Sequence, residues 1–180
     1  MKIIDSDFDD IFFSQFTSLL GGIAAGAILA THKGNIFEIP GMLILIPGLL
    51  EVRGSVCGSF ASRLSSGLFL GIIDPKKILS KIVNGNFLAT FIQAASASAA
   101  VGLVAFLVNF LILGSFNPGL ILIGVITGIV ANLVQVPVTF FLSIFYFRKG
   151  HDPNNFIGPL ITSMGDVVSM IALVITIQLI

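Results

Sequence analysis

Asp166 is the first residue from which chemistry can be built. It stands in the apolar stretch 156–180, with Thr162 four positions before it and Ser163 and Ser169 three positions to either side. On a helix these side chains share one face and offer a carboxylate and three hydroxyls to a hard cation or a proton. A second set lies in Ile46-Pro47-Gly48-Leu49-Leu50-Glu51-Val52-Arg53-Gly54-Ser55. A Pro-Gly pair ahead of charges and glycines is expected to open a helix and free backbone carbonyls. Within a bilayer that geometry is tolerated only beside a cavity or another protein segment. Ser55, Ser59, Ser62 and Ser66 follow at helical spacing beside Arg63, and Asn132, Gln135, Thr139 and Ser143 make a third polar stripe around Pro137.

The ligands on offer are carboxylate, hydroxyl, amide and backbone oxygen. There is one cysteine, Cys57, and both histidines fall at loop edges, so soft-metal sites are excluded. Oxygen ligands suit magnesium, calcium, manganese or sodium, and a site poor in carboxylates suits magnesium, which keeps much of its water. Each stripe also has a purely structural reading. Asp166 can be neutralised by protonation, by Arg53 or by Arg63. The serine stripe can serve helix packing, and the polar groups of 132–143 can hydrogen-bond to neighbouring helices. The residues by themselves leave these alternatives open.

The elements that hold these residues follow from composition. Of 180 residues, 56% are hydrophobic and 10% charged, and segment 82–147 has no Lys, Arg, Asp or Glu. Soluble domains carry about 25% charged residues, so a soluble enzyme, a nucleic-acid binder and a disordered chain are all excluded. The expected fold class is an all-α integral membrane protein with five transmembrane helices at about 11–31, 39–70, 87–113, 120–147 and 156–180. The second is predicted to be broken or extended. Lys2, Lys76, Lys77, Lys81, Arg148 and Lys149 lie on one side and Lys33 on the other, which predicts a cytoplasmic N-terminus and an external C-terminus.

The start of the chain lacks the basic run and cleavage site of a secretory signal, so the first span is expected to be retained. A single membrane domain, 1–180, with a short acidic cytoplasmic tail, 1–10, accounts for the whole sequence. The tail resembles the start of a calcium loop but has Phe16 where a closing Glu is required, and reads as a solvated end. Gly22 and Gly26, Gly54 and Gly58, Gly67 and Gly71, and Gly124 and Gly128 have the spacing that lets helices approach closely, within one chain or in a dimer.

At the two signature segments the sequence resembles the MgtE-type magnesium transporter domain, particularly its relatives in solute carrier family 41. Residues 47–55, continuing to Ala61-Ser62-Arg63-Leu64-Ser65-Ser66, resemble that family's second-helix pattern, Pro-x-Leu-Leu-Gly-Leu-Lys-Gly-Asn followed by Ala-Ser-Arg-Leu-Ser-Thr. Asp152-Pro153-Asn154-Asn155, running on through Gly158-Pro159-Leu160-Ile161-Thr162-Ser163 to Gly165-Asp166, resembles the approach to its last helix. The resemblance implies a homodimer in the lipid bilayer with helices two and five of each subunit around a pore. It implies that Asp166 holds a hydrated Mg2+, the transported ion, with no organic cofactor. Glu51, where the family has Gly, and Ser55, where it has Asn, are departures that bear on ion selectivity. With about ten residues ahead of the first span, the N-terminal sensor and CBS domains of bacterial MgtE are expected to be missing, and their gating mechanism is not carried over.

The leading expectation is therefore a dimeric divalent-cation channel or transporter, with Asp166, Thr162, Ser163, Glu51, Gly54 and Ser55 as its metal-site residues. A proton- or sodium-coupled exchanger in which Asp166 titrates is the alternative within transport. A non-transporting membrane scaffold is the alternative outside it. No His or Cys constellation supports an enzyme.

Overall fold

The computed structural model describes residues 2–76, 80–151 and 153–180, with the side chains of 12–76, 80–151, 153 and 158–180. The side chains of the acidic tail and of Asn154 and Asn155, together with Lys77 and Asp152, lie outside the described residues. The described chain is helical: α1 (Lys2–Thr31), α2 (Lys33–Phe37), α3 (Met42–Phe69), α4 (Lys81–Leu113), α5 (Gly119–Arg148) and α6 (Pro153–Leu179). Five of these contain segments long and apolar enough to cross a membrane, namely Phe12–Thr31, Met42–Phe69, Lys81–Leu113, Gly119–Arg148 and Gly158–Leu179. At 1.5 Å per residue even the shortest spans about 30 Å, the thickness of the hydrocarbon core.

Local chemistry sets the ends. Ser80 caps α4, its hydroxyl accepting from the Val83 N–H at 3.2 Å, which starts the helix six residues before the expected 87. Gly114 closes α4 with a left-handed φ of 65°, a conformation that costs glycine little. Pro153 opens α6 where a missing N–H is harmless. The short α2 replaces an expected turn because buried Ile36 pins it to the bundle.

α3, α5 and α6 pack against one another at the centre. α4 lies on α3 and α5, and α1 packs along α6, touching no other long helix among the described residues. Two apolar clusters fill the middle. One holds Phe60, Leu64, Leu68, Val136, Phe140 and Ile144, with Phe87 set edge-on between Phe60 and Phe140. The other holds Met42, Leu45, Leu49, Leu120, Met170 and Leu173. The part of each central helix that runs between them contains Arg53, Gln135 and Asp166 respectively.

One expectation is corrected. α3 is one extended, continuous helix of 28 residues that passes through Pro47 rather than opening there. Pro47 removes one backbone hydrogen bond near the helix start, and that loss leaves the rest of the ladder intact. Gly48 beside it is a packing residue: a Cβ there would come within 2.7 Å of Val101 Cγ1 on α4. The four glycine pairs also differ in use. A Cβ at Gly22, Gly26, Gly54 or Gly58 would meet nothing within 4 Å. Gly124, by contrast, lies against Gly102 and Ser98 of α4, and a Cβ at Gly128 would overlap the Ser98 side chain.

Close α4–α5 approach thus depends on Gly102, Gly124 and Gly128. Gly128→Val should lower stability by about 1–3 kcal/mol through overpacking, whereas Gly22→Ala should be nearly neutral. Thermal unfolding of the detergent-solubilised variants, followed by circular dichroism, checks the contrast.

Candidate functional site

A guanidinium organises the centre of the bundle. Arg53 projects from the buried side of α3, with 3% of its side chain exposed. Its Nη1 donates to Gln135 Oε1 at 3.1 Å and to the Ile161 carbonyl at 3.3 Å. Its Nη2 donates to the Thr162 carbonyl at 3.1 Å and to Asp166 Oδ1 at 2.5 Å. Gln135 Nε2 also donates to the Ile161 carbonyl, at 3.3 Å. One charged group therefore ties α3 to α5 and α6, using the spare lone pairs of helical carbonyls.

Gly165 makes this possible. A Cβ there would overlap both Arg53 Nη1 and Gln135 Nε2, so the guanidinium and the amide lie directly on the α6 backbone. Sequence reasoning missed this residue, although its signal was present: a glycine immediately before the one acid of an apolar helix. It also treated Gln135 as part of a stripe rather than as a site residue.

Of the two arginines that could pair with Asp166, it is Arg53 that does so. Arg63 is elsewhere, exposed and donating to Thr90 Oγ1 at 3.0 Å. The pair does not seal Asp166, whose side chain keeps 24% of its surface exposed. A carboxylate paired in this way keeps lone pairs that can accept hydrogen bonds, including from the water shell of a hydrated cation.

The other expected site residues are placed as follows. Thr162 is exposed one turn before Asp166, its hydroxyl donating to the Gly158 carbonyl at 2.8 Å. Ser163 is buried, donates to the Leu160 carbonyl at 3.1 Å and packs over Gly21 of α1. It therefore faces away from the surface that Thr162 shares. Glu51 and Ser55 are exposed on α3, and Gly54 is half-buried with open space above its Cα. Ser169 is buried and stands apart from these contacts. Among the described residues no group of three or more His, Cys, Asp or Glu is gathered as a metal would require.

The stripe on α5 is a buried hydrogen-bonding seam rather than a vestibule wall. Asn132, Thr139 and Ser143 each donate to the carbonyl one turn back, at 2.7 to 2.8 Å. Cys57 is fully buried beside Asn132 and Gln135.

Breaking a buried ion pair on one side leaves the other charge uncompensated, at about 3 kcal/mol or more. Gly165→Val, which expels the guanidinium, should therefore destabilise the protein far more than Met164→Val on the exposed side of α6. Melting temperatures of the two purified variants test the seat directly.

A profile of the MgtE family, described as "Divalent cation transporter", matches residues 46–176. Among curated proteins the chain is 25% identical over 156 residues to solute carrier family 41 member 2 of Gallus gallus, covering 83% of this chain and 27% of that one. It is 27% identical over 162 residues to solute carrier family 41 member 3 of Rattus norvegicus, covering 84% of this chain and 34% of that one. The human member 2 is 24% identical over 156 residues. The chain thus spans about a third or less of the length of the curated relatives it matches. No solved structure matches it significantly. The family match runs from within α3 almost to the end of α6 and includes both Arg53 and Asp166: this multi-pass membrane protein belongs to the MgtE family of divalent cation transporters.

Proposed function

We propose that the chain moves divalent cations, Mg2+ foremost, across a bilayer as a homodimer. In this reading α3 and α6 of each copy line the path, and Asp166 holds the cation through its hydration shell. The N-terminus lies in the cytoplasm and the C-terminus outside, following the positive charge on the even-numbered loops and the N-terminal tail.

The observation that carries the reading is the state of Asp166. An acid at membrane depth is costly, by about 2.5 kcal/mol or more, and Arg53 relieves that cost while leaving part of the carboxylate accessible. A purely structural pair gains nothing from that accessibility. Support also comes from the outer face of α3, where Glu51, Ser55, Ser62 and Ser66 are all exposed. Hydrocarbon does not solvate such a face, whereas a second copy and a water-filled path do.

Purified protein in liposomes should take up Mg2+, and Asp166→Asn should reduce the initial rate at least about tenfold, a loss of some 1.4 kcal/mol. The variant must elute and melt as a folded protein for the comparison to count. Undiminished flux in folded Asp166→Asn would contradict the role given to this residue.

A further inference from the structure

We infer that Glu51, rather than Asp166, supplies the uncompensated negative charge that draws divalent cations into the membrane, while the Arg53–Asp166 pair is a fixed and nearly neutral part of the wall. This rests on the proposed transport reading and assigns its charges.

The inference begins from a charge inventory. Inside the five apolar helices, away from their ends, four residues carry charge: Glu51, Arg53, Arg63 and Asp166. Arg53 and Asp166 cancel through their ion pair. Arg63 lies twelve residues along α3 from Glu51, about 18 Å away, and is engaged by Thr90. Glu51 remains. Two residues along a helix are separated by about 200° of rotation, so Glu51 leaves α3 on the side opposite Arg53 and cannot share its guanidinium. It makes no hydrogen bond or ion pair among the described residues and is exposed.

Glu51 is nine residues into α3, about 14 Å along a helix of about 42 Å, hence at hydrocarbon depth. A free carboxylate there must meet a cation, a proton or a partner. Its own face answers which. Ser55, Gly58 and Ser62 follow it at steps of four, three and four and are exposed as well, so the same strip offers hydroxyl acceptors and, at Gly58, open space. Small residues beside a lone carboxylate leave room for an ion with its waters. In a two-fold assembly that brings this strip to the axis, two Glu51 carboxylates face each other, and their repulsion is relieved best by one divalent ion.

The assignment separates the two acids by role. Asp166 is held rigidly and accepts hydrogen bonds from coordinated water, whereas Glu51 sets the charge on which selection of divalent over monovalent ions depends. The departure of this chain from its family at Glu51 then acquires a function.

Calorimetric titration of the purified full-length protein with MgCl2 tests this, run beside liposome flux on the same preparations. Glu51→Gln should weaken Mg2+ binding at least about tenfold and reduce the preference for Mg2+ over K+, while Glu51→Asp, which keeps the charge, should bind within about threefold of wild type. Both substitutions lie on an exposed face, and unchanged melting temperatures confirm that they fold. Wild-type affinity in Glu51→Gln, or no Mg2+ binding by the wild type, would overturn the inference. Glu51-dependent binding without flux would uphold it and overturn the transport reading instead.

Discussion

A guanidinium buried between three helices at membrane depth cannot stand alone, and most of this structure is arranged around that constraint. Arg53 needs an anion and acceptors for its remaining protons. Asp166 provides the first, and Gln135 with the carbonyls of Ile161 and Thr162 accepts from Nη1 and Nη2, while Nε has no partner among the described residues. Those partners come from α5 and α6, so the demand of one side chain fixes how α3 meets both. Gly165 is required because the contact reaches the α6 backbone itself. Apolar clusters lie on either side of this layer, and the low polarity around the buried guanidinium strengthens its hydrogen bonds.

The same layer gives the surface its character. The α3 side that faces the bundle spends its polar groups internally, while the outer side carries Glu51, Ser55, Ser62 and Ser66 without internal partners for Glu51. Membrane proteins bury polar residues against protein or water, and the outer side of α3 is the face on which the proposed homodimer builds. By contrast α4 presents Leu88, Ile92, Leu103 and Leu111, and α1 presents Leu19 and Ile23, as lipid-facing helices do. In the proposed assembly the polar strip is covered by a second copy around an ion path.

The helices were legible in the sequence because apolar runs of spanning length, broken by Gly114 to Gly119 and by Arg148 to Pro153, leave few other solutions in a bilayer. Their ends shifted most at α1, which begins at Lys2 rather than about 11, and at α4 and α6, where the Ser80 cap and the opening Pro153 lengthen the helix. Pro47 was misread because its local effect was weighed without its position near the helix start. The glycine pairs were equally ambiguous: identical spacing serves close packing at Gly124 and Gly128 and open surface at Gly22 and Gly26. At the site, Asp166 was legible as a lone acid in an apolar helix, yet the choice of Arg53 over Arg63 was not. That choice depends on how α3 is rotated against α6, a tertiary property that spacing along one helix does not contain. For the same reason Gly165 and Gln135 became visible only when the helices were assembled.

In the proposed homodimer the polar strip of α3 faces its counterpart in the second copy. Ser55→Cys, treated in native membranes with a short bis-maleimide, tests it most directly, since Cys57 is fully buried and out of reach. Ile92→Cys, on the lipid-facing side of α4, is the control. The expected result is a covalent dimer from Ser55→Cys and monomer from Ile92→Cys. Monomer from Ser55→Cys, with its thiol shown to be labelled, would contradict the account.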